Sequence, residues 1–96
     1  MNYNNFILSI KRNSPPSKLS EPELAMWQAM NNNWDNAHQT AQSINNEIGA
    51  WIHAYLHRIE GDLRNANYWY SRANRTPTQS ALKDEAEEII RFITKT

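Results

Sequence analysis

Residues 51–62, WIHAYLHRIEGD, place His53 and His57 four positions apart and Glu60 one turn further on. At about 100° per residue, positions i and i+4 share a helix face. Two imidazoles so spaced can chelate Zn²⁺ or a similar ion, with Glu60 as a third ligand and His38, from another segment, as a fourth. The intervening base of H-E-x-x-H and the paired E-x-x-H motifs of di-iron bundles are both missing. A polar face is therefore the favoured expectation, with these histidines turned away from the core and bonded to carboxylates or backbone, and neither a metal nor another cofactor is expected. His38 differs, because it shares a face with Trp34, Ala37 and Ala41. It should point partly inward and hydrogen-bond a neighbouring helix, a pocket acid or base being the alternative.

A second constellation is Arg64, Tyr68, Arg72 and Arg75, a basic strip with an aromatic in its middle. Arg and Tyr dominate binding hot spots, and such a strip could hold a phosphate, an acidic peptide or a single nucleic-acid strand; the alternative is a solvated face with Arg stacked on Tyr. Ten Lys and Arg balance ten Asp and Glu, so no net field gathers nucleic acid or an anionic membrane. Glu60 and Asp62 resemble a carboxylate pair, but Asp62 reads as a helix cap and Glu60 can pair with Arg58 or Arg64. Two glycines could hardly build a phosphate or dinucleotide loop, and no nucleophile motif is present. The absence of cysteine removes thiolate chemistry and fits a reducing compartment. MNYNNFILSIKR carries its basic residues after a short apolar run, unlike a signal peptide, and nothing approaches the ~20 apolar residues of a membrane span. A soluble cytoplasmic protein is expected.

The elements that must position these residues are all helical, since no segment alternates with period two. With 96 residues the chain should form one core, and four Trp and four Tyr should make it aromatic-rich. A short N-terminal segment, 1–12, containing YNNFILSI, precedes a Pro/Ser linker over 13–20 and a single all-α domain over 21–96. Helices are predicted at 21–31, 34–45, 47–60, 63–74 and 77–94. Ser20 and Glu23 form a capping box, and Asn33 and Asp62 are caps. Thr76, Pro77 and Gln79 read as the start of the last helix. Ile48, Trp51, Ile52, Tyr55, Leu56 and Ile59 give the clearest apolar stripe. The fourth helix should bury Leu63, Ala66, Trp69, Tyr70 and Ala73.

NWDNAH at 33–38 and DLRNAN at 62–67 echo one another, which suggests two similar antiparallel hairpins. Residues 54–77, AYLHRIEGDLRNANYWYSRANRTP, resemble a tetratricopeptide repeat at Ala54, Gly61, Asp62, Ala66, Tyr70, Ala73 and Pro77. The longer stretch from WDNAHQTAQS to YWYSRA is similar to a group of small bacterial proteins of unassigned function. The resemblance implies antiparallel, TPR-like hairpins closed by a C-terminal capping helix. The expected role is a non-enzymatic interaction module for a protein or peptide, a second copy of the chain included. The alternative is a ligand- or metal-binding protein, or a weak hydrolase, centred on His38, His53, His57 and Glu60.

Overall fold

Helix caps punctuate the chain. The computed structural model describes residues 1–94, so the last two residues of the expected 21–96 domain lie outside it. Six helices are described: α1 (Tyr3–Ser9), α2 (Glu21–Met30), α3 (Trp34–Gln42), α4 (Glu47–Ile59), α5 (Leu63–Arg72) and α6 (Leu82–Ile93). No strand occurs among the described residues, and the fold is all-α. Ser20 and Glu23 close their capping box, while the side chains of Asn2, Asn33, Asn46 and Asp62 each accept a backbone N–H from the first turn of the next helix.

The echo between NWDNAH and DLRNAN is realised as a shared turn. Asn32 (φ 62°) and Gly61 (φ 81°) adopt left-handed backbone. The next residue, Asn33 or Asp62, donates its N–H to the carbonyl five positions back, Gln28 or His57, at 2.9 Å in both cases. That same residue then caps the following helix, so α2 with α3 and α4 with α5 form hairpins. The turn recurs a third time: Asn74 has φ 60° and Arg75 donates to the Tyr70 carbonyl at 3.0 Å. Here the residue after the turn is Arg75, which cannot cap, and no helix follows directly.

The predicted start of the last helix at Pro77 is therefore corrected to Leu82. Thr78 Oγ1 accepts from the N–H of Ser80, and Arg58 donates to the Ser80 carbonyl at 2.6 Å, which ties residues 78–80 down in a non-helical path. Ala81, the N-cap, makes no side-chain capping bond, so its sequence carries no start signal. Leu63, expected inside, is 61 % exposed at the first position of α5.

Helix α4 is the hub, packed by α2, α3, α5 and α6. Every residue from Gly49 to His57 is buried, which overturns the expectation that His53 and His57 face away from the core. Ala50 and Ala54, which flank the histidines, keep that side of α4 narrow, and α3 and α5 close over it. At Gly49 the segment joining α3 to α4 comes close, since a Cβ there would lie 2.2 Å from the Ile44 carbonyl oxygen. Helix α6 packs on α2 and α4, the first helices of the two hairpins, through a stripe of Ala86, Ile89 and Ile90. Helix α1 joins them: Phe6 is fully buried, Trp27 Nε1 donates to the Ser9 carbonyl at 3.0 Å, and the Arg91 guanidinium sits 3.9 Å above the Tyr3 ring.

Candidate functional site

Three histidines meet where α3 crosses α4. His38 of α3 and His53 of α4 face each other through their Nε2 atoms at 2.8 Å. Only one proton fits between two nitrogens at that distance, so one ring donates and the other accepts. His57 lies one turn along α4, its ring stacked near that of His53 at 5.4 Å. One ring nitrogen from each of the three lies within 4.8 Å of the others. Tryptophans bracket the cluster: Trp34 stacks on His38 (4.8 Å) and Trp69 lies parallel against His53 (3.8 Å, 2°). Trp34 Nε1 also donates to the Leu56 carbonyl at 2.7 Å, fixing that wall.

Electrostatics keep two of these rings neutral. Burial, reinforced by His38 and then His57, holds His53 down to about 4. His38 is also lowered, by burial first and His57 second, with Glu60 and Asp35 pulling the other way. Glu60 stands outside the cluster as a backing group: its Oε1 is 2.6 Å from His57 Nδ1. A carboxylate oxygen accepts, so Nδ1 carries the proton and Nε2 is the nitrogen of this ring left to ligate.

Beside His53, between α3 and α5 and above the N-terminal half of α4, lies a cavity of about 530 Å³. Ala41, Glu47, Ala50, His53, Trp69 and Arg72 are among its lining residues.

The basic strip is divided. Tyr68 is 52 % exposed, and its hydroxyl accepts from Arg72 at 2.9 Å. The Arg72 guanidinium lies 5.4 Å above the Trp69 ring, which joins this pair to the cavity wall. Arg64 is exposed on the same helix. Arg75 goes elsewhere: it lies 3.3 Å above the Trp51 ring and 3.9 Å from Glu88 of α6. Helix α5 ends at Arg72, and left-handed Asn74 turns the chain before Arg75, so helical spacing does not carry that residue onto the strip.

A polar centre on the opposite side of α4 was missed in the sequence. Glu85 of α6 is 1 % exposed. Its Oε2 accepts from Trp51 Nε1 (3.1 Å) and from the Tyr70 hydroxyl, and its Oε1 accepts from Arg58 at 2.6 Å. These bonds lock α6 to α4 and α5 and explain why α6 lies where it does. Burial and the Glu85 carboxylate raise the Tyr70 hydroxyl above its ordinary range, while Tyr55, buried nearby, is pushed up to about 12 by burial and then by Glu85. A glutamate amid KDEAEE reads as surface charge, and the one signal in the sequence is that Glu85 borders the Leu82, Ala86, Ile89 stripe more closely than Glu87 or Glu88 does.

No family model, curated protein or solved structure matches the chain. Among the described residues, no helix is long and apolar enough to cross a membrane.

Proposed function

We propose that the chain is a non-enzymatic, tetratricopeptide-like interaction module that binds a peptide segment of a protein partner along α5 and the adjoining α3–α5 cavity. The supporting observation is the Tyr68–Arg72–Trp69 arrangement. An exposed Tyr whose hydroxyl is held by Arg, with that Arg resting over Trp, is already ordered, so binding need not immobilise these side chains. Arg64 and Arg72 favour a segment with a carboxylate, while Trp69 and the cavity beside it offer room for an apolar side chain. The face formed by α2 and α4 is less suited, because α6 lies on both helices. The imidazoles hydrogen-bond one another and Glu60, with no hydroxyl nucleophile bonded to them among the described residues, which favours binding over catalysis. A cysteine-free chain fits the reducing cytoplasm of a bacterial cell.

The test is selection from a displayed random peptide library on the wild-type chain, followed by titration of the winning peptides against Tyr68→Ala and Arg72→Ala. Peptides with an acidic residue near an aromatic or aliphatic one should emerge, and each substitution should weaken them about tenfold or more with unchanged helical circular dichroism. Selected peptides that ignore both substitutions, or no enrichment at all, would refute the reading.

A further inference from the structure

We propose that His38, His53 and His57 form a three-imidazole site for a late first-row divalent ion of the Zn²⁺ type, which clamps the second helix of one hairpin to the first helix of the next. The site adjoins the proposed binding cavity through His53 and Trp69, but its test requires no peptide or protein partner.

Four observations converge on it. First, the three ring nitrogens already lie within 4.8 Å of one another, on two helices that pack together. Second, the donors are all imidazole, which suits Zn²⁺, Co²⁺, Ni²⁺ and Cu²⁺ and disfavours the oxygen-seeking Mg²⁺ and Ca²⁺. Third, His57 donates through Nδ1 to Glu60, the carboxylate–histidine arrangement that orients a ligating ring and increases its basicity at Nε2. This gives Glu60 the role of supporting carboxylate, not the ligand role expected from sequence spacing. Fourth, Trp34 and Trp69 hold the rings of His38 and His53 from either side, so the two imidazoles are already oriented toward one another.

The three nitrogens must settle at one common spacing, so one pair opens while nitrogens now up to 4.8 Å apart close by up to about 1.5 Å. Metal–nitrogen bonds of about 2.0–2.1 Å at a tetrahedral centre set ligand nitrogens about 3.3 Å apart. The 2.8 Å His38–His53 pair must therefore open by about half an ångström as the ion replaces the shared proton. That proton shifts to Nδ1 of the ring that held it, so this pair takes up the ion without net proton release. The cavity beside His53 gives access to a fourth position for water or an exchangeable ligand. His57, Glu60 and Asp62 form a competing set, but Asp62 already caps α5 through Asn65 and Glu60 is bonded to His57, so ligation there would give up both contacts.

The experiment is titration of the untagged, chelator-treated full chain with Zn²⁺ by calorimetry, followed by thermal unfolding and the visible spectrum of the Co²⁺ form. The expected results are one ion per chain, a midpoint raised by several degrees at saturating Zn²⁺, and the absorption of four-coordinate Co²⁺. His38→Ala should abolish all three. Glu60→Gln, a surface change that keeps the fold, should weaken Zn²⁺ about 10- to 100-fold. Absence of one-to-one binding, or binding undiminished in His38→Ala but lost in Asp62→Asn, would overturn the proposal.

Discussion

Removing the carboxylate of Glu85 should be among the most damaging single changes in this chain. Glu85→Ala strands three donors at once: the Arg58 guanidinium, whose side chain is 13 % exposed, the Trp51 indole N–H and the Tyr70 hydroxyl. Breaking a buried ion pair by deleting one partner costs about 3–5 kcal/mol, because the other charge stays buried and uncompensated. Against a domain stability of about 5–15 kcal/mol, that loss brings the native state close to its limit. Glu85→Gln retains an acceptor for Trp51 and Tyr70 but removes the charge facing Arg58, so its cost should fall between those of wild type and Glu85→Ala. Urea unfolding followed by tryptophan fluorescence gives the free energies, and a cycle with Arg58→Ala isolates the pair. Since each single change leaves the other group unpaired, the double variant should be less destabilised than the sum of the two. A loss below about 1 kcal/mol for Glu85→Ala, or strict additivity in the cycle, would refute the claim that this centre fixes α6.

Three further outcomes follow from packing and burial. Because His53 is held at about 4 when folded, against about 6.5 when unfolded, the unfolded chain binds the extra proton more tightly; stability is full above about pH 6.5 and falls by up to about 3 kcal/mol as pH drops toward 4. The groups around it are His38 from α3, His57 and Glu60 from α4 and its end, and Arg72 from α5 across Trp69; urea midpoints for wild type and His53→Gln should converge at acid pH. Gly49→Ala should destabilise by about 1–3 kcal/mol despite alanine's better helix propensity, because the new methyl meets the Ile44 backbone; a raised thermal midpoint would contradict this. Trp51→Ala should cost about 3–5 kcal/mol and Tyr68→Ala far less, and denaturant midpoints ranked the other way would show that the two helix faces are wrongly assigned.

Much of the scaffold was legible because its signals are local. Ser20 with Glu23, Asn33 and Asp62 announce helix starts through their own side chains, and Gly61 announces a left-handed turn. The site was legible only in its membership. His38, His53, His57 and Glu60 could be singled out, but the apolar rhythm of α4 suggested one buried face, whereas this hub helix is covered on every side from Gly49 to His57 and both histidines are buried with the rest. Which groups then bond one another depends on the crossing of α3 and α4, which no spacing rule contains. Glu85 and the start of α6 were hidden for the same reason: Ala81 has no cap to announce it, and the partners of Glu85 lie 15, 27 and 34 positions away. Arg75 was placed by extending a helix through Asn74, where left-handed backbone ends it.

The most direct test of the proposed binding face is a nuclear magnetic resonance titration of the isotope-labelled chain with the tightest peptide from the library selection. The largest amide and indole shifts should fall on Tyr68, Trp69 and Arg72 of α5 and on Glu47 and Ala50 across the cavity, with α6 and α1 unmoved. Shifts concentrated on α6 or α2, with α5 silent, would place the partner on the opposite face and contradict the proposed function.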